Sequence, residues 1–141
     1  MESATQREIL QEQTLQGPQG VLSTRTLAMP ADCNPWGDIF GGWLMSQMDM
    51  AASLAAHRHA RCRVVTVAVD KMELLLPVFV GDELSCYTVV VRTGRTSITV
   101  KVEAWVHRRD DGDLARVTEA VFTMVAIGED RRPRSVPPLV V

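Results

Sequence analysis

The stretch Gly41–His59, GGWLMSQMDMAASLAAHRH, decides the fold, because nothing inside it breaks a helix and the chain after it reads as strand. Ten of the fourteen residues from Trp43 to Ala56 are apolar, and Asp49 is the only ionisable one among them. A helix apolar on nearly every side is a buried one. Past His59 the period changes. Val64–Val69 is a β-branched run, and Leu74–Val80 reads as another, closing in the turn Val80-Gly81-Asp82. Leu84–Val91 is β-rich and ends at Thr93-Gly94-Arg95, where glycine offers a positive φ. Ile98, Val100, Val102, Ala104 and Val106 then alternate with Thr99, Lys101, Glu103, Trp105 and His107, the period-two pattern of a strand with one buried face. Asp110-Asp111-Gly112-Asp113 marks a hairpin, and Leu114–Ile127 supplies the returning strand.

Upstream, Val21–Leu27 reads as a short strand and Ala28–Asp38, AMPADCNPWGD, as a loop dense in turn formers. The order is one strand, one helix, then four or five mainly antiparallel strands. No βαβ repeat occurs, which disfavours a parallel Rossmann-like sheet. One helix covers only one face of a sheet, so the simplest arrangement is α+β, an antiparallel sheet wrapped around one long central helix. Residues 1–20 read as a flexible arm, 21–127 as the folded domain and 128–141 as an exposed tail.

Length and composition narrow the function classes. With 141 residues, 46% hydrophobic and 23% charged, the chain is one domain that buries roughly 70% of its unfolded surface. A net charge of -2 argues against a domain built around nucleic-acid phosphates. Cys33, Cys62 and Cys86 are odd in number and form no CxxC pair, which fits neither a disulfide framework nor a zinc ribbon and suits a reducing compartment. There is no secretory signal pattern, and no apolar run approaches the ~20 residues of a membrane span. The expected setting is cytoplasmic.

On a helical wheel Asp49 shares its sector with Ser46, Ser53 and His57. That sector faces either solvent or a cleft. No Lys or Arg lies within four residues, so Asp49 has no intrahelical ion-pair partner. Just upstream, Gly41 and Gly42 open the helix, where backbone N–H groups carry the positive end of the dipole. They serve either tight packing or the close approach of a carbonyl, the geometry of an oxyanion hole. Asn34 and Asp38 are turn or cap formers, or they line the same cleft. Arg92 and Arg95, beside Thr96 and Ser97, form either a solvated hairpin end or an edge that contacts phosphate. His57 and His59 diverge by ~200° on a helix and cannot chelate one ion together. GxSxG, GxxxxGK[ST] and GxGxxG are absent.

The segment RTLAMPADCNPWGDIFGGWLMSQMD (Arg25–Asp49) closely resembles the hotdog-fold acyl-CoA thioesterases of the YciA type. The resemblance continues through RVVTVAVDKM (Arg63–Met72), PVFVGDELSCY (Pro77–Tyr87), GRTSITVKVEAWV (Gly94–Val106) and TEAVFTMVAI (Thr118–Ile127). It implies a helix wrapped by a sheet, with a catalytic carboxylate at Asp49, as general base or nucleophile, and sites at the interface of paired subunits. Asn34 and Asp38 would line the thioester end, and Gly41 and Gly42 would polarise its carbonyl. The substrate would be acyl-CoA and the products fatty acid and CoA, with no metal or redox cofactor implied. A homodimer with a continuous sheet is expected, and by resemblance a hexamer, a trimer of such dimers. The rival readings are hotdog dehydratase or isomerase chemistry and a catalytically silent acyl-CoA-binding module.

Overall fold

The computed structural model describes residues 16–140, so residues 1–15 of the expected N-terminal arm lie outside the described residues. Strand β1 (Val21–Leu27) precedes helix α1 (Gly41–Ala60), with a short 3-10 turn at Pro30–Asp32 between them. Strands β2 (Arg63–Asp70), β3 (Glu83–Thr93), β4 (Ser97–His107) and β5 (Leu114–Ile127) come after the helix. The five strands form one antiparallel sheet in the order β1-β3-β4-β5-β2, and α1 packs against all five. This is the hotdog arrangement expected from the sequence.

Along α1, Leu44, Met48, Ala52, Ala56 and Ala60 recur every fourth residue and are buried, together with Ala51. Small side chains on that ridge let the helix lie close to the sheet, against the inner face of Ile98, Val100, Val102, Ala104 and Val106. The helix ends where Arg61 turns into the left-handed region at φ 55° and its N–H donates to His57 O at 2.7 Å. His57, Arg58 and His59 occupy the last turn, where cations suit the dipole. No helix among the described residues is long and apolar enough to cross a membrane.

Three expectations need correction. Leu74–Val80 is not a strand: Leu75 and Leu76 both donate to Val117 O, at 3.0 and 3.4 Å, and Pro77 has no N–H to offer a ladder. The segment runs on as a braced connection, held by buried Asp82, which accepts from Arg108 at 2.6 Å and from the Phe79 N–H at 2.9 Å. Strand β4 is buried on both faces along much of its length, not on one. On its outer face Trp105 Nε1 donates to Glu103 Oε1 at 3.1 Å, and Arg116 and Lys101 lie within ion-pair reach of that carboxylate. Finally, the Thr93–Arg95 turn does not use a positive φ at Gly94, whereas Gly112 in the next hairpin does, at 72°.

The C-terminal segment is mostly exposed yet tied down. Its N–H groups donate from Arg134 to Ala126 O, from Val136 to Arg95 O and from Leu139 to Thr93 Oγ1, at 2.8, 2.9 and 3.1 Å.

Candidate active site

Asp49 lies half-buried near the middle of α1, and the hydroxyl of Thr66 on β2 donates to its Oδ1. Thr66 is the one polar residue in the Val64–Val69 run, and reading α1 alone misses it. The sheet brings it across 17 residues of sequence. With one oxygen engaged by a neutral donor, the second oxygen keeps its lone pairs for another partner. Of this sector, Asp49 and Ser46 line a cavity of about 320 Å³ with Gly42 and Thr66, walled by Met45, Val69, Met72 and Phe122, whereas Ser53 and His57 do not.

The two glycines part company. A Cβ on Gly42 would meet nothing within 4 Å, so its backbone is open to the cavity. A Cβ on Gly41 would come within 2.9 Å of Leu74 Cδ1, and Gly41 lines a separate hollow with Leu44 and residues 74–78. No side chain caps the start of α1 and its first turn holds no acid. Phe40 O accepts from Trp43 and Leu44, at 3.1 and 3.3 Å, leaving the Gly41 and Gly42 N–H groups outside the helix ladder. Gly42 and Asp49 are seven residues apart, hence on one face and about 10 Å apart along the axis.

Asn34 and Asp38 stand in the loop before α1 and do not line the Asp49 cavity of their own subunit. Asn34 Oδ1 accepts from the N–H groups of Trp36 and Asp38, at 3.0 and 3.1 Å, so the turn-forming role is real. Its Nδ2 has no hydrogen-bond partner among the described residues. Trp36, at the loop tip, is 84% exposed.

Arg92 and Arg95 are exposed at the β3–β4 turn, with Thr96 and Ser97 partly buried beside them, at the end of the sheet where α1 finishes. Thr96 and Ser97 use their carbonyls to hold that turn, accepting from Ala126 and Gly94. His57 Nδ1 contacts Cys62 O and His59 Nε2 contacts Pro137 O, so each ring is tied to a carbonyl. Cys86 is buried, and burial pushes its thiol up to about 11 against a hydrogen bond with Thr24 that works the other way.

Residues 37–112 match the model of the thioesterase superfamily. The acyl-CoA thioester hydrolase YciA of Escherichia coli is 49% identical over 123 residues, which cover 85% of this chain and 93% of that one. A hexameric thioesterase of Yersinia pestis superposes with a TM-score of 0.82 at 52% identity, over 85% of this chain and 98% of that one. An acyl-CoA hydrolase of Staphylococcus aureus, solved with butyryl coenzyme A and coenzyme A, superposes at 0.76 with 28% identity, over 83% and 71%.

Proposed function

The chain belongs to the thioesterase superfamily, and from that premise we propose that it hydrolyses acyl-CoA to a free fatty acid and CoA, using Asp49 and the Gly42 end of α1. The observation that carries this is one cavity holding a carboxylate, oriented by Thr66, and an open, uncapped helix start within the same apolar walls. Relatives that share about half of the sequence are named acyl-CoA thioester hydrolases. The folded unit that does this is residues 21–127.

Asp49 takes a proton from water as its oxygen attacks the carbonyl carbon. The oxyanion forms against the N–H groups at the helix start, where fixed dipoles meet developing charge. The C–S bond then breaks and the proton passes to the departing sulfur. Direct attack by Asp49 would instead form a mixed anhydride, which water then opens. Either route uses the same residues and needs no metal.

Asn34 and Asp38 enter the site from a second copy. Relatives of this fold form hexamers, and we read this chain as a homodimer built up into such an assembly. Arg92 and Arg95, with Thr96 and Ser97, hold the phosphate end of the substrate. A thiol-release assay across acyl chain lengths, run beside enoyl-CoA hydration, tests the reading. Thiol release without hydration is expected, and hydration or saturable binding without thiol release would overturn it.

A further inference from the structure

Strand β4 is covered on a face where the described chain offers no cover. Val102, Ala104 and Val106 join the core under α1, so alternation turns Glu103 and Trp105 to the outer face, with their ladder partners Ser85 on β3 and Arg116 on β5. A sheet with a helix on one face alone presents the other to water. Yet Trp105 is 1% exposed and Glu103 3%, and Ser85 and Arg116 are buried beside them. Oε2 of Glu103 is buried with no hydrogen-bond partner among the described residues, so water is kept from it too. A tryptophan has roughly 150–250 Å² to hide, more than its neighbours in the same sheet layer can cover. The described elements outside the sheet lie elsewhere. Residues 74–78 line a hollow with the start of α1, and the β4–β5 loop closes on Asp82 through Arg108 and Arg109. The C-terminal segment is bound to Thr93 and Arg95, at the far end of β3 from Ser85.

What remains is the chain before β1. Gly20, at φ 102°, sits so close to β3 that a Cβ there would come within 2.5 Å of Thr88 O and 2.6 Å of Val89 Cγ2. Val89 stands opposite Lys101 and shares the outer face with Ser85, so the chain enters β1 from that side. Gly17, at φ 73°, supplies a second left-handed residue just upstream. We propose that residues 1–15 dock across the outer face of β3, β4 and β5 and seal Trp105 and Glu103 beneath them. Val89 and Ser85 are four residues of strand apart, ~13 Å. Fifteen residues span ~22 Å even as a helix and up to ~50 Å when extended, so the segment reaches Trp105 in either conformation. Ile9, Leu10 and Leu15 bring apolar side chains to the ring. Docking of this kind withholds an aromatic-centred patch from other chains. The face is separate from the Asp49 cavity, so the proposal stands apart from the hydrolase reading.

Acrylamide quenching of tryptophan fluorescence tests this in the full-length chain, with Trp36→Phe and Trp43→Phe leaving Trp105 as the sole fluorophore. Trp105 should be quenched several-fold less than in the same chain unfolded by urea. Ile9→Asp with Leu10→Asp charges the segment without altering the sheet, and it should raise quenching several-fold while circular dichroism keeps the folded signal. Leu15→Asp alone, a milder change, should move quenching in the same direction. Shielding unchanged in both variants overturns the proposal, and so does free quenching of Trp105 before any change to the segment. Shielding that is lost on dilution, in step with light scattering, would place a second copy on this face and overturn it as well.

Discussion

A lone carboxylate in an apolar helix is legible as an oddity, and Asp49 stood out from sequence for that reason. What could not be read was its partner, because Thr66 becomes a neighbour only once β2 lies beside α1. Asp49→Asn keeps shape and removes the base, so kcat should fall at least a hundredfold, the usual worth of general-base assistance being ~10²–10⁴. Thr66→Val keeps volume and deletes the hydroxyl. It should lower kcat by a smaller factor, since the carboxylate remains but loses its orienting donor. Steady-state kinetics on both variants checks the ranking, and Thr66→Val as damaging as Asp49→Asn would mean that the hydroxyl is itself essential. A second residue-scale test concerns Cys86. Burial pushes its thiol from 9.0 to about 11, so between those values the folded chain holds a proton that the unfolded chain has lost. Stability contributed below pH 9 is therefore lost as pH rises toward 11, by up to ~3 kcal/mol. Urea midpoints at pH 8 and pH 10.5 should diverge more for the wild type than for Cys86→Ala.

At the scale of elements, α1 and β5 were legible almost to the residue, because one is bounded by Gly41 and the other by a Gly112 turn and a sustained β pattern. The Leu74–Val80 run reads as a strand and is not one, because an apolar stretch of seven fits a strand or a braced connection equally well in composition. Pro77 was the available warning. Burial of Glu103 and Trp105 on the outer face of β4 was invisible for another reason: alternation assigns polar residues to water, and a Trp–Glu hydrogen bond cancels that assignment only in three dimensions. The paired glycines at the start of α1 likewise looked equivalent and are not. Gly42→Ala adds a methyl that touches nothing in the protein, so stability should hold or rise by up to ~1 kcal/mol, as for alanine over glycine in a helix. The same methyl stands in the cavity where a carbonyl must approach, so kcat should fall at least tenfold. Gly41→Ala must displace Leu74 Cδ1 instead and should trade a small loss of stability for near-normal turnover. Thermal melts beside thiol release separate the two, and a fully active Gly42→Ala would remove the helix start from the mechanism.

A single subunit leaves much of its apolar surface in water. Met45, Met50 and Leu54 on α1 and Val65, Val67 and Val69 on the edge strand β2 are each more than a third exposed, and Trp36 and Phe40 flank the loop before the helix. Exposed apolar patches and an unpaired apolar edge are aggregation hazards unless another chain covers them. A two-fold pair of identical chains would cover both, and under the proposed reading it would give Asn34 a route to the site that it lacks within its own chain. Shared sites of this kind can be tested by mixing variants. Asn34→Asp retains the oxygen that closes the loop through Trp36 and Asp38 but deletes the free Nδ2 donor. If that donor meets the oxyanion, kcat should drop ~10²–10³-fold with the fold intact. Asp49→Asn inactivates by a different route. When the two dead variants are unfolded together and refolded as a mixture, random pairing makes about half of the pairs mixed, and each mixed pair holds one site with neither substitution. Activity should then return to about a quarter of the wild-type value. Sites built within single chains would stay dead in every pairing, so no recovery above either parent would place Asn34 and Asp49 in the same subunit's site.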